Sequence, residues 1–223
     1  SVEKTLLQIK ESLEEKRLPW LSFGGTVIII GIFLSVFQQF VGINVVMYYA
    51  SEIFRNMGAT TEVSLLQTIV VGVVNMVFTI VAIYTVDKWG RKPLMIIGAL
   101  GMSVSMIALG LFFFIDSHGL AALIAMGAYT AAFAISWGPV TWVLLSEIFP
   151  NSIRGAMSIA VSAMWIANLA VSWTFPMMND NVLLTRLFNH GFAYWIYGII
   201  GILAALFVWR FVPETKGRSL EEM

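Results

Sequence analysis

Two adjacent carboxamides, Gln38 and Gln39, are followed closely by Gly42, Asn44, Tyr48 and Tyr49, with apolar residues on either side. Side chains of this kind do no covalent chemistry; they donate and accept hydrogen bonds. In an apolar medium each unpartnered group costs roughly 2–7 kcal/mol, so the set must meet itself, water or a polar solute. On an ideal helix Gln38 and Asn44 point about 120° apart, whereas Asn44 and Tyr48 share a face. A common site therefore needs the helix to bend or unwind at Gly42. The alternative use of such amides is to hold neighbouring helices together; a cluster of this size favours a solute. A second set follows at Trp137-Gly138-Pro139-Val140-Thr141-Trp142, where a helix breaker stands between two indoles. Pro139 has no N–H to donate and is expected to kink its helix. Trp142 offers a ring face for the C–H surface of a sugar and one N–H donor, while Trp137 reads more readily as packing. Asn75, Trp165 and Asn168 add single polar or amphipathic groups.

These residues need a frame that holds them at membrane depth. The chain of 223 residues is 59% hydrophobic and 12% charged, against roughly 25% charged in soluble domains, which argues against a water-soluble fold. Apolar runs cover Phe23 to Phe37, Leu65 to Val86, Leu94 to Ile115, Leu120 to Leu145, Ala156 to Met178 and Ala193 to Val212. About 20 residues rising 1.5 Å each cross about 30 Å of hydrocarbon. The runs are read as six membrane-spanning helices, the first continuing through the amide cluster to Tyr49. Barrel strands would be about 10 residues long with alternating polarity. Of the 13 Lys and Arg residues, only Arg55 and Arg186 fall on one side; the other 11 share the opposite side, which the positive-inside rule marks as cytoplasmic. Both termini are then cytoplasmic. Gly72, Gly98, Gly101, Gly138, Gly198 and Gly201 are expected where helices approach closely.

Residues 1–20 carry Val2, Leu6, Ile9 and Leu13 on one helical face opposite Glu and Lys, and Pro19 ends the pattern. They are read as a cytoplasmic linker helix, with the bundle over residues 21–213 and a cytoplasmic tail over 214–223. Ser1 is not an initiator Met and no leader precedes the first span, so the chain is read as a piece of a longer one.

No cysteine is present, and His118 and His190 have no spaced ligand partners, so neither disulfides nor a metal site are expected. The 13 acidic residues fall in loops, tails or near span ends, with Glu52, Glu62, Asp87, Asp116 and Glu147 at those ends. No carboxylate of the kind that ion pumps bury is evident. An enzyme lacks a His, Cys or carboxylate constellation at depth, and a channel lacks a ring of charges. Net charge is zero, and nucleic acid is not expected as a partner. The charged residues cluster instead in three loops on the cytoplasmic side. These are Asp87-Lys88-Trp89-Gly90-Arg91-Lys92, Glu147 through Arg154-Gly155, and Pro213-Glu214-Thr215-Lys216-Gly217-Arg218. Acid and base at successive helix ends can form a latch that holds one conformation and breaks in another. A single exposed pair contributes only about 0–1 kcal/mol.

These loops and the amide cluster together resemble the sugar porter family of the major facilitator superfamily. Asp87-Lys88-Trp89-Gly90-Arg91-Lys92-Pro93 looks like that family's loop between its eighth and ninth helices. Glu147 and Arg154-Gly155 are similar to its Glu-x6-Arg-Gly loop, the stretch from Pro213 to Arg218 to its end-of-bundle motif, and Phe37 to Tyr49 to its seventh helix. The resemblance spans the whole chain but only the C-terminal half of a twelve-helix fold. It implies an all-α integral membrane protein, a six-transmembrane-helix half of a major facilitator bundle, carrying a pentose or hexose across the cell membrane. Gln38, Gln39, Asn44, Asn75 and Trp142 would contact the sugar, with Trp165 beside them, and Tyr48 would help close the outward side. Asp87, Arg91, Glu147, Arg154, Glu214 and Arg218 would form the inward latch. No cofactor is implied beyond a coupling proton, whose acceptor belongs to the family's N-terminal half. The implied partners are the sugar, the lipid bilayer, and either that N-terminal half or a second copy of this chain. The other reading is an isolated or self-associated half that binds sugar, or serves as a scaffold, without transport. Met164 precedes Trp165 where relatives carry Gln or Asn, so one sugar hydrogen bond is expected to be missing.

Overall fold

The computed structural model describes residues 25–116, 119–149 and 154–216, apart from the Arg154 side chain. The expected linker helix over residues 1–20, His118 and the latch residue Arg218 lie outside the described residues. The regular elements are all helices: α1 (Gly25–Phe40), α2 (Ile43–Asn56), α3 (Thr61–Trp89), α4 (Arg91–Phe114), α5 (Leu120–Ile135), α6 (Trp137–Ile148), α7 (Arg154–Asn179), α8 (Val182–Phe188) and α9 (Phe192–Phe211). Among the described residues six stretches are long and apolar enough to cross a membrane, and they coincide with the six apolar runs. The first and fourth are each broken into two helices, α1–α2 and α5–α6.

The first break has a local cause. Gly42 adopts φ 94°, ψ 17°, in the left-handed region that glycine reaches without a Cβ penalty. Its surroundings enforce the same choice, because a Cβ there would lie 2.9 Å from the Tyr197 ring. The break frees backbone acceptors, and the Tyr129 hydroxyl donates to the Val41 carbonyl at 2.9 Å. Gly42→Ala combines left-handed strain of about 1–2 kcal/mol with the ring contact. Its melting temperature in detergent is expected to fall; an unchanged melting curve would contradict this account of the break.

The second break lies three residues before its expected place. Ser136, with φ −125° and ψ −92°, separates α5 from α6. Pro139 then falls in the first turn of α6, where a missing N–H leaves no helical bond unmade. The Ser136 hydroxyl donates to the Ala132 carbonyl at 2.5 Å. A Cβ on Gly98 of α4 would collide with that hydroxyl, so glycine admits the bend.

The helices pack as α4 on α9, α1 on α7 and α3 on α5. Gly198 and Gly201 meet α4 closely, a Cβ on Gly198 coming within 2.7 Å of Ile107. Gly72 has nothing within 4 Å, so it is not the helix-approach site expected of it, and the nearest atoms to a Cβ on Gly138 belong to Phe133 of its own span. At the centre, Trp137 is fully buried and its indole N–H donates to the Met95 carbonyl at 2.9 Å. By contrast α3 leaves Leu65, Leu66, Ile69, Val73 and Met76 exposed, and α7 leaves Ile166, Leu169 and Trp173 exposed. α2 runs past Tyr49 to Asn56, which places Glu52 about one turn inside the first span.

Candidate functional site

Gln38 and Gln39 close α1, and both are buried, at 3% and 8% exposure. Gln38 Nε2 donates to the carbonyls of Trp137 at 3.1 Å and Gly138 at 3.4 Å, in the first turn of α6. Gln39 Nε2 donates to Gln38 Oε1 at 3.3 Å, and Asn44 Nδ2 donates to Gln39 Oε1. The three amides thus run head to tail from the start of α2, past the Gly42 break, to the start of α6. Unwinding at Gly42 is what lets Asn44 reach Gln39. The relay leaves Asn44 Oδ1 and one N–H each on Asn44 and Gln39 for other partners. No ionisable group belongs to it, so its chemistry suits a neutral polar molecule held by bonds of about 0.5–1.5 kcal/mol each.

The other expected solute contacts are not joined to this relay. Tyr48 on α2 is 61% exposed, Trp142 on α6 42% and Trp165 on α7 62%. Asn75 on α3 is half-buried, and its side chain makes no hydrogen bond among the described residues. Tyr48, Trp142 and Trp165 stand on open surface of the bundle. Met164 points the other way: it is 2% exposed and packs with Leu145, Phe149, Ala156 and Ala160. An apolar residue suits that position, where Met164 fills the bundle interior. Tyr49, whose hydroxyl donates to the Ser172 carbonyl at 3.0 Å, ties α2 to α7. Tyr129 and Ser136 carry no signal of their roles in spacing or type; only their contacts at the two breaks reveal them.

At the opposite end, Arg91 begins α4 and its guanidinium lies 3.0 Å from Asp87 and 2.9 Å from Glu147. The arginine side chain is 13% exposed, against 27% for Glu147 and 79% for Asp87, so the pair with Glu147 is the better shielded. Thr215 donates its hydroxyl to the other Glu147 oxygen at 2.5 Å. The tail thus begins docked on the bundle, with Thr215 buried. Arg154 opens α7. Glu214 makes no ion pair among the described residues. Its carboxylate instead accepts from the backbone N–H groups of Arg91 and Lys92, both at 3.1 Å, and from Lys216 N–H at 2.9 Å.

The physical reason is the start of α4. A helix leaves its first N–H groups unpaired and carries a partial positive charge there, which a carboxylate satisfies. Gly90 precedes α4 and has no side chain to do so. Glu214, from the far end of the chain, supplies the cap. Gly90 has φ 88°, and a Cβ there would lie 2.8 Å from Glu214 Oε2. Gly90→Ala is therefore expected to push the cap away and cost about 1–2 kcal/mol, read as a lower melting temperature. Equal stability of the two proteins would refute the capping role.

Over residues 1–223 the chain matches the family described as sugar (and other) transporter. It is 61% identical over 220 residues to the D-xylose-proton symporter of Escherichia coli (strain K12), covering 97% of this chain and 45% of that protein. It is 46% identical over 224 residues to the glucose facilitated diffusion protein of Zymomonas mobilis subsp. mobilis, covering 100% of this chain and 47% of that one. It also superimposes on the proton:xylose symporter XylE bound to 6-bromo-6-deoxy-D-glucose, with a TM-score of 0.84 and 58% identity over 99% of this chain and 47% of the other. The chain spans just under half the length of these relatives. Within the sugar porter family, the chain as a whole also resembles the bacterial D-xylose:proton symporter in particular. With that agreement between motif, identity and fold, the chain belongs to the sugar (and other) transporter family, whose major facilitator members are membrane transporters and not enzymes.

Proposed function

We propose that this chain is the C-terminal, sugar-contacting half of a secondary transporter for a pentose or hexose resembling D-xylose. The observation that carries the reading is the head-to-tail amide relay set between two broken helices. Broken spans free backbone and side-chain groups at mid-membrane, the place where transporters of this kind bind their solute. Gln39 and Asn44 meet the sugar hydroxyls with their remaining donors and acceptors, and Gln38 completes the same polar wall. Trp142 and Trp165 offer ring faces, Asn75 a further amide, and Tyr48 closes the outward side. Asp87, Arg91, Glu147 and Arg154 latch the inward side, with Glu214 capping α4 and Arg218 adding charge from the tail.

Both termini lie in the cytoplasm on this reading, and the exposed faces of α3 and α7 receive the N-terminal half. One relative is named for proton-coupled xylose transport and another for facilitated glucose diffusion, so coupling varies within the family. The amide relay has no titratable group, which favours placing any proton coupling in the N-terminal half. Self-association is the second reading, favoured by the same exposed apolar faces, on which a copy of this chain could dock.

Labelled D-xylose and D-glucose uptake into proteoliposomes containing this chain, beside equilibrium binding and a crosslinking count, tests these readings. Saturable binding without uptake is expected of one half. Saturable uptake by dimers would establish the self-paired transporter, and absence of binding to either sugar would overturn the sugar site.

A further inference from the structure

The open face of α2 is polar along three turns. Asn44, Tyr48, Glu52 and Arg55 follow one another at helical spacing, while Val45, Val46, Ala50, Ile53 and Phe54 form the buried face. Glu52 is half-buried and Arg55 exposed, and neither enters an ion pair among the described residues. Turning a charged side chain toward hydrocarbon costs less near a helix end than the roughly 2.5–3.5 kcal/mol at its centre, and Glu52 and Arg55 lie within about one turn of the Asn56 end, so both reach water there. The neighbouring helix provides the contrast. α3, tied to α2 by the Ser51 and Ser64 hydroxyls at 3.1 Å, exposes Leu65, Leu66, Ile69, Val70 and Val73 over the same stretch.

Eight residues separate Asn44 from Glu52, a rise of about 12 Å along the helix. That path runs from the amide relay toward the Asn56 end of the first span. We propose that Glu52 forms a second, outer sugar subsite on this path, its carboxylate accepting hydrogen bonds from two neighbouring hydroxyls of a neutral sugar. Arg55, one turn further out, offers donors to the oxygens of the same molecule. Hydrogen bonds to an ionised carboxylate are roughly twice as strong as neutral ones, enough to hold a solute briefly before it reaches the relay. The subsite rests on the sugar-transport reading and extends it to a residue outside the amide cluster.

The chain contains no cysteine, so single thiols can be introduced without background. Glu52→Cys and Arg55→Cys, in this chain reconstituted into liposomes, are expected to react with a charged, membrane-impermeant methanethiosulfonate about tenfold faster than Ile53→Cys or Ile69→Cys. D-xylose is expected to slow the reaction at Arg55→Cys, which keeps the Glu52 carboxylate, about threefold or more, and Glu52→Gln to slow D-xylose association about three- to tenfold. Equal reactivity at positions 52 and 69 would overturn the aqueous face. Fast reaction at position 55 that D-xylose does not slow, in a protein whose cysteine-free parent binds D-xylose, would overturn the subsite alone. A cysteine-free parent that binds no D-xylose would overturn the sugar reading and the subsite with it, whatever the thiol pattern.

Discussion

Gln39→Ala is expected to weaken D-xylose binding about 10- to 100-fold, a loss of about 1.4–2.8 kcal/mol. The size follows from the position of Gln39 in the relay. Its Nε2 donates to Gln38 and its Oε1 accepts from Asn44, so truncation removes a solute contact and leaves two further amide groups unpaired in a buried place. Truncating one member of a polar network costs more than the bond it deletes, because the partners keep their desolvation penalty. Trp142→Ala removes an exposed ring face and no hydrogen bond among the described residues, so a smaller loss, about 3- to 10-fold, is expected. Isothermal titration in detergent gives both affinities, and far-UV circular dichroism shows whether helicity survives. Unchanged affinity in both variants, with helicity intact, would remove the proposed site.

Glu147→Ala should act at the other end, by loosening the helix ends that Arg91 holds together. It leaves Arg91, 13% exposed, with the well-solvated Asp87 as its one acidic partner among the described residues, and deprives Thr215 of its acceptor. Removing one partner of a fully buried pair costs about 3–5 kcal/mol. Glu147 is 27% exposed, so water screens part of that and about 2–3 kcal/mol is expected. Two measurements check the effect. Thermal unfolding should shift down, and a cysteine at Val86, whose carbonyl accepts from Arg91 at 3.4 Å, should be alkylated several-fold faster than in the Glu147 parent. If neither changes, the ion pair does not hold the helix ends together. Glu147→Gln separates charge from shape: it keeps the side chain's bulk and one carbonyl acceptor but loses the attraction to the guanidinium.

Much of this protein could be read one residue at a time. Six apolar runs follow from hydropathy alone, because each span is long enough to satisfy its backbone internally whatever its neighbours are. Gly42 was legible as a break because only glycine adopts its φ without penalty, and three amides close to it demanded a common partner. The ion-pairing set Asp87, Arg91 and Glu147 was legible as a charged cluster because acids and bases recur at the ends of spans.

Other features depend on residues far apart in the chain. Gln38 bonds the carbonyl of Trp137, 99 residues away, and Glu214 caps a helix whose first residue is 123 positions earlier. Nothing in the type of Glu214 distinguishes a cap from an ion-pair partner; the side-chain-free Gly90 opposite it decides. Pro139 drew attention as the breaker of the fourth span, yet the bend fell at Ser136, where Gly98 of α4 leaves room and where Pro139 can occupy a first turn at no cost. Met164 looked like a gap in a binding site until its burial against Leu145 and Phe149 turned it inward. The sequence alone therefore determined which segments cross the membrane, where glycine unwinds the first of them and which polar residues must find partners, since these depend on local hydropathy and backbone freedom. The tertiary structure decided which partners they found, because a buried donor or acceptor takes whatever the packed helices bring within about 3 Å, and that is set by contacts between spans.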